Sequence, residues 1–97
     1  MKWQVAVTET AKKMLLKLSK GEQRSAIKRM QKLVIEPQQQ GRPLSGDLAG
    51  YRRIRTGRLR IIFRVDQKKA TVYIIAVGLR RAGDKADIYQ ITKKVTK

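Results

Sequence analysis

The chain of 97 residues contains no cysteine and no histidine. The lack of cysteine excludes disulfide bonds and thiolate metal ligands, so nothing in the composition ties the chain to an oxidising compartment. The lack of histidine removes the most common general base and the most common metal ligand of proteins. We therefore expect no bound metal and no cofactor, and any catalytic chemistry must use other side chains.

Acidic residues are scarce, since 7 Asp and Glu stand against 24 Lys and Arg, for a formal net charge of +17. Such a charge density indicates a polyanionic partner, with nucleic acid first and an acidic protein second. No apolar run approaches the roughly 20 residues of a membrane-spanning helix, and the N-terminus lacks a signal-peptide core. With no lipidation motif and no aromatic-rich amphipathic segment, we expect a soluble cytoplasmic protein that binds no membrane.

The length predicts one domain over residues 1–97, large enough to fold without disulfides or metals. Lys2 to Val7 alternates apolar and polar residues, which predicts a short N-terminal strand. Apolar residues then recur at helical spacing, and either Thr8 or Thr10 can cap the start of this first helix.

A second helix is predicted directly after the first. Ser19-Lys20-Gly21-Glu22 fits the capping box of this helix, which ends before Pro37. The close connection predicts an antiparallel helix hairpin whose apolar seam lies on the core face of a sheet. Residues 36–48 contain two prolines and two glycines and are predicted to form the main loop before that sheet.

Three strands are predicted between Gly50 and Val77. Thr56-Gly57 predicts a two-residue hairpin turn. That turn gives these pairs: Arg55 with Arg58, Arg53 with Arg60, and Tyr51 with Ile62. A four-residue turn over 66–69 then leads into a strand from Ala70 to Val77. This second turn gives two further pairs: Phe63 with Val72, and Ile61 with Ile74.

Residues opposite each other in a sheet share a face, so the hairpin is predicted to gather its arginines on one side. These are Arg53, Arg55, Arg58 and Arg60. The other side carries an apolar row with the period of a strand, formed by Ile54, Leu59, Ile61, Phe63 and Val65. Like charges in opposed positions repel, and no acidic residue lies between Tyr51 and Val65. The sequence therefore predicts a concave surface that binds an anion.

The C-terminal segment adds further basic and aromatic residues. Arg80 and Arg81 follow the last predicted strand, so both can reach the end of the sheet near the arginines. Asp87-Ile88-Tyr89-Gln90 predicts the capped start of a short C-terminal helix. Tyr89 lies about 100° around this helix from Ile88, so it is off the apolar stripe and its hydroxyl can serve another purpose.

This order of elements, with the segments PLSGDLAGYRRIRTGRLRIIFRV and IIAVGLRRAGDKADIYQ, resembles the RelE/ParE superfamily of bacterial toxins over almost the whole chain. The resemblance implies an α+β fold. An N-terminal strand and an antiparallel helix hairpin pack on a twisted, mainly antiparallel sheet with a three-stranded meander, and a short C-terminal helix follows.

The resemblance also implies a function and a set of partners. RelE-type members cut messenger RNA in the ribosomal decoding site and belong to type II toxin-antitoxin systems. The expected partners are therefore messenger RNA, the ribosome and a cognate antitoxin protein, and no small-molecule substrate is expected. The expected activity is that of an endoribonuclease, an mRNA interferase.

The family's catalytic pattern falls on particular residues of this chain. The arginine of its second meander strand matches Arg60 in Arg60-Ile61-Ile62-Phe63, and the arginine after the last strand matches Arg80 or Arg81. The full catalytic set implied by the resemblance is Arg53, Arg55, Arg60, Arg80 and Tyr89. Contacts to RNA phosphates are assigned to the remaining basic residues nearby, Arg52, Arg58 and Arg81.

The first-strand pair departs from the family pattern, because Arg53 and Arg55 stand where the best-known members carry lysines. Arginine holds its proton near neutral pH, so the general base stays unassigned. Two other functions also fit the charge: a ParE-like toxin that binds gyrase without catalysis, and a basic RNA-binding or ribosome-associated protein whose arginines only contact phosphate. Tyr89 together with the arginine set favours the endoribonuclease.

Overall fold

The computed structural model of the chain describes residues 3–79 and Thr92, and they form an α+β fold. The α-helices and strands in chain order are β1 (Gln4–Val7), α1 (Glu9–Leu16), α2 (Lys20–Gln31), β2 (Arg42–Pro43), β3 (Arg52–Thr56), β4 (Leu59–Asp66) and β5 (Thr71–Gly78), and short 3₁₀ helices lie at Lys32–Val34, Pro37–Gln39 and Gly46–Leu48. The strands form one sheet in the order β1-β5-β4-β3-β2. The pair of β1 and β5 is parallel and the other pairs are antiparallel. The predicted fold is confirmed, while the helix expected from Asp87 lies outside the described residues.

Both helices begin at residues whose side chains cap them. The Thr8 hydroxyl accepts a hydrogen bond from the backbone N–H of Ala11 and donates one of 2.7 Å to the carbonyl of Ile74, which ties the start of α1 to β5. Ser19 and Glu22 form the predicted capping box. A cap of this kind contributes about 1 kcal/mol. Within the described ranges, no helix is long and apolar enough to cross a membrane.

The helix hairpin covers one face of the sheet. Two fully buried alanines, Ala11 of α1 and Ala26 of α2, let the helices approach the strands closely. The other buried members of this core are Met30, Leu33, Ile54, Leu59, Ile61, Phe63, Val72, Ile74 and Val77. Trp3 packs against the same core. The predicted placement of the apolar seam on the core face is confirmed.

The turn between β3 and β4 differs from the prediction by one residue. The loop is Gly57-Arg58, and the pairs are Arg52 with Phe63, Arg53 with Ile62, Ile54 with Ile61, Arg55 with Arg60 and Thr56 with Leu59. The predicted pairs of Arg55 with Arg58, Arg53 with Arg60 and Tyr51 with Ile62 are therefore wrong. Gly57 has φ 58 while Arg58 has no positive φ, which is typical of a type II′ turn with glycine in the first central position.

Despite this wrong register, the predicted faces of the hairpin are correct except at Arg58, which lies in the turn and not on a strand. Each residue has exchanged its expected partner for one two positions away. Because side chains alternate with a period of two, a shift of two keeps every side chain on its face. The apolar row of Ile54 and Ile61 therefore meets the helices, and the arginines of β3 and β4 share the opposite face.

The second turn is also displaced by one residue. Its length of four is as predicted, but Asp66 pairs with Thr71, so the loop covers residues 67–70 and ends at Ala70 with φ 47. The register then shifts between Ile62 and Phe63. Ile62 faces Ala76, Phe63 faces Ile74 and Ile61 faces Val77. The predicted pair of Phe63 with Val72 is wrong because the turn is displaced, and the predicted pair of Ile61 with Ile74 is wrong because the bulge adds a further shift.

Candidate nucleic-acid interface

The sheet face turned away from the helices carries four arginines, Arg53, Arg55, Arg60 and Arg64, and we call it the arginine face. Arg55 of β3 lies directly opposite Arg60 of β4, and Arg53 faces Ile62. The predicted grouping of Arg53, Arg55 and Arg60 is therefore present in the structure. Arg58 is different, because it occupies the turn and is exposed.

Arg60 has the most firmly held backbone of this group. Its strand lies between β3 and β5, and its chain neighbours Leu59 and Ile61 are 2% and 0% exposed. Gly78 is its partner on β5 and offers no side chain beside it. The Nε atom of Arg60 is buried and has no hydrogen-bond partner among the described residues. A phosphate oxygen that accepted from this donor would remove the cost of an unpaired buried group, about 1–3 kcal/mol.

An apolar floor lies between the charges of the arginine face. Ile62 and Ala76 are fully buried there, and Leu44, Tyr51, Ile75 and Met14 of α1 pack against them. Charges beside an apolar surface are less screened than charges surrounded by water, so they attract an anion more strongly. The structure thus places cationic side chains where a phosphate would be partly withdrawn from solvent.

Sequence reasoning missed an aromatic contact on this face. The guanidinium carbon of Arg64 lies 4.8 Å from the centre of the Tyr73 ring, and the two residues are direct partners across β4 and β5. Alternation along β4 places Arg64 on the same face as Arg60, so the position of Arg64 could be predicted from the sequence. Its contact with Tyr73 could not be predicted, because the predicted register gave Arg64 a different partner. A guanidinium held over an aromatic ring offers a surface on which a nucleobase can stack.

Arg52 holds the preceding loop in place. Its Nε donates to the carbonyl of Gln40 at 2.9 Å and its guanidinium also donates to the carbonyl of Gly41 at 3.3 Å. It pairs with Phe63, so alternation places it on the side of the helices and not on the arginine face. Its predicted contact with RNA stays a prediction, and the structure adds a bracing role for this side chain.

Three assigned residues, Arg80, Arg81 and Tyr89, lie outside the described residues. Their roles rest on sequence correspondence and stay predictions. The last described strand ends at Gly78, directly opposite Arg60, and Arg80 follows two positions later in the chain.

A second surface of the molecule is apolar. A groove of about 470 Å³ runs between the edge strand β1 and the helix hairpin, lined by Val5, Val7, Lys12, Leu15, Ile27, Met30, Gln31 and Val34. Within this groove the structure leaves Ile27 43% exposed and Val7 40% exposed. Contiguous exposed apolar surface marks a site where a partner binds.

The chain is similar to a known family of proteins and to several solved structures. Residues 5–82 match the family model described as the ParE toxin of the type II toxin-antitoxin system parDE. The chain is similar to the RelBE2 toxin-antitoxin complex of Mycobacterium tuberculosis, with 32% identity, a TM-score of 0.76, and coverage of 82% of this chain and 93% of that chain. No curated protein sequence matches it.

Two more distant structures have the same fold. The RelE-RelB complex of the archaeon Pyrococcus horikoshii has 25% identity and a TM-score of 0.66, over 86% of this chain and 100% of that chain. A double mutant of the E. coli toxin RelE in the free state has 20% identity and a TM-score of 0.78, over 100% of both chains. The fold likeness therefore extends well beyond the sequence likeness.

Proposed function

The chain belongs to the RelE/ParE superfamily of toxins from type II toxin-antitoxin systems, and from this premise we propose that it is a ribosome-dependent endoribonuclease that cleaves messenger RNA. The observation that carries the proposal is the arginine face, where Arg53, Arg55 and Arg60 surround an apolar floor. Membership alone is compatible with cleavage of RNA or with binding of gyrase. A preorganised cluster of phosphate-binding side chains supports cleavage.

The proposed reaction uses the RNA's own 2′-hydroxyl as the nucleophile. It needs removal of a proton from that hydroxyl, stabilisation of the extra negative charge on phosphorus, and protonation of the leaving 5′-oxygen. Arginine suits the second task, because its planar fork matches two phosphate oxygens at once. We assign this task to Arg60, with Arg53 and Arg55 binding the same or the adjoining phosphate.

The other two tasks need proton transfer, for which this chain is poorly equipped. It contains no histidine, and arginine keeps its proton near neutral pH. Tyr89 is the side chain assigned to stacking or proton exchange, and Arg80 or Arg81 completes the cationic set. We propose that the ribosome positions the message and contributes to proton transfer, which makes the activity depend on translation.

The endoribonuclease proposal is tested by expression of the chain without a partner protein. Growth should stop because translated messages are cut, so new 5′ ends should map within the coding regions of messenger RNA. Sequencing of 5′ ends before and after induction measures this directly. Intact messages together with broken DNA would overturn the proposal in favour of gyrase binding, and untranslated messages serve as the internal control.

We further propose that a cognate antitoxin docks in the apolar groove beside β1. The Mycobacterium tuberculosis and Pyrococcus horikoshii structures are toxin-antitoxin complexes. The groove offers apolar side chains on a chain with a net charge of +17, so it suits a partner segment with both acidic and apolar residues. β1 is also an edge strand of the sheet. Encounter should be steered by charge, so the association rate should fall as salt rises.

Ile27→Asp is expected to weaken antitoxin binding by at least about 30-fold, equivalent to about 2 kcal/mol, because it places a charge inside the groove. The matched control is Ile35→Asp, since Ile35 is also an exposed isoleucine, at 68%, and does not line the groove. Isothermal titration calorimetry with the protein of the adjoining reading frame measures both affinities. Equal affinities for the two variants would move the docking surface to the arginine face.

A further inference from the structure

A small pocket lies at the corner of the sheet where β2 begins beside β3. It has a volume of about 180 Å³ and is lined by Arg29, Gly41, Arg42, Arg53, Ile54 and Arg55. Four of these six residues are arginines and none is acidic. Small-molecule sites are typically about 300–1,000 Å³ and mostly apolar, so this pocket suits a compact anion better than an organic ligand.

A close backbone approach builds this corner. β2 pairs with β3 only through Arg42 with Arg53 and Pro43 with Arg52. Gly41 comes just before β2 with φ +71, and a Cβ at this position would lie 2.1 Å from the Arg53 carbonyl oxygen. Only glycine can bring the chain so near. β2 begins at Arg42, opposite Arg53, so it does not cover the outer edge of β3 at Ile54 and Arg55. The pocket opens at this uncovered edge.

The backbone of β3 contributes to the pocket. The Arg53 carbonyl points outward toward Gly41, and backbone groups of alternate residues in a strand point to the same edge. The N–H and carbonyl of Arg55 therefore face the same outer edge, past the end of β2. A ligand in the pocket would thus meet one backbone N–H in addition to the guanidinium groups.

Arg29 reaches the pocket from the helix side. It donates from one terminal nitrogen to the side-chain oxygen of Gln40 at 2.9 Å, and Gln40 in turn donates to the carbonyls of Lys32 and Ile35. These bonds hold the guanidinium in position before any ligand arrives, which lowers the entropy lost on binding. Arg42 is exposed and approaches from the opposite side, on β2.

We propose that this corner pocket binds a backbone phosphate of the RNA strand that crosses the arginine face, and so directs the strand around the edge of β3 toward α2. The inference rests on the proposed function, because the pocket shares Arg53 and Arg55 with the arginine face. An acidic protein segment fits less well. Such a segment also buries apolar side chains, and the only large apolar residue of the pocket, Ile54, is 2% exposed.

Arg42→Ala should remove one phosphate contact without disturbing the fold. The probe is a fluorescein-labelled ten-nucleotide 2′-O-methyl RNA, which lacks the attacking hydroxyl and cannot be cleaved. Its affinity is measured by fluorescence anisotropy over a series of salt concentrations. The slope of log affinity against log salt should fall in magnitude by about 0.7 in Arg42→Ala, the value for one contact to a single strand.

The matched control is Arg24→Ala, which removes the same charge from an exposed position of α2 outside the pocket and should leave the slope unchanged. Arg42→Lys, which keeps the charge, should restore the slope. An unchanged slope in Arg42→Ala would overturn the proposal. Displacement of the RNA by poly-glutamate as effectively as by unlabelled RNA of equal charge would also overturn it, and would assign the pocket to an acidic protein.

A second measurement uses inorganic phosphate as the probe. In the wild-type protein, phosphate should shift the amide resonances of Gly41 and Arg55 relative to chloride at equal ionic strength, and in Arg42→Ala the shifts should be lost. Because neither readout involves cleavage, a protein that passes both tests yet leaves messages intact on ribosomes would refute the proposed function and keep the pocket. Absence of any phosphate-dependent shift at these amides would refute the pocket.

Discussion

Arg60→Ala is expected to lower the single-turnover rate of messenger RNA cleavage on programmed ribosomes by about 100-fold to 1,000-fold, the loss typical of one preorganised donor to a developing charge. The backbone of Arg60 is held between two strands and its chain neighbours are buried. Its side chain can therefore point at phosphorus with little reorganisation. The rate at saturating toxin measures the chemical step separately from binding.

Two variants test whether the position and the shape of this side chain matter. Arg60→Lys keeps the charge but loses the planar fork, so its rate should lie between those of the wild type and Arg60→Ala. Arg24→Ala removes a charge from the exposed surface of α2 and should retain the wild-type rate. If Arg60→Ala cleaves at the full rate once saturated, Arg60 binds RNA in the ground state and is not catalytic.

Gly41→Ala is expected to destabilise the protein by about 2–5 kcal/mol. Placing an L-residue at φ +71 costs about 1–2 kcal/mol. The new Cβ would also meet the Arg53 carbonyl oxygen at 2.1 Å and the Ile54 Cγ2 at 2.8 Å, and overpacking of this kind costs about 1–3 kcal/mol more. Urea unfolding measures the free energy of unfolding, provided that the slope with urea is unchanged.

Gly46→Ala is the matched control for this prediction. Gly46 has a similar φ of +62, but a Cβ built there meets nothing within 4 Å. Its substitution should therefore cost only the backbone strain, about 1–2 kcal/mol. Equal unfolding midpoints for the two variants would show that the clash at Gly41 is relieved at no cost in free energy. The backbone at the corner between β2 and β3 would then move easily to make room for the new Cβ.

The residues of the candidate site were predictable to different degrees. The cationic cluster of Arg53, Arg55 and Arg60 follows from alternation along two strands, which a change of turn by one residue does not affect. The stack of Arg64 on Tyr73 needed the correct pairing of β4 with β5. The corner pocket needed the contact of Gly41 with β3, which involves residues in a segment that the sequence predicted only as a loop.

Turn chemistry explains the error in register. Gly57 was available to either of two turns, since glycine tolerates positive φ in the second central position of one turn type and in the first of another. The structure uses the first position, with Gly57 before Arg58. Both choices keep the apolar row of β4 on the core, so the hydrophobic pattern could not decide between them.

The sequence by itself determined the local features of this protein: the helix cap at Ser19, the α+β class, and the opposition of an arginine face to an apolar face. Each of these depends on residues close together in the chain or on a period of two or 3.6. Only the tertiary structure decided the parallel pairing of β1 with β5, the bulge beside Ile62, the exposure of Ile27 and the corner at Gly41. These depend on contacts between distant segments, where several registers bury nearly the same apolar surface and packing of the whole domain selects one of them.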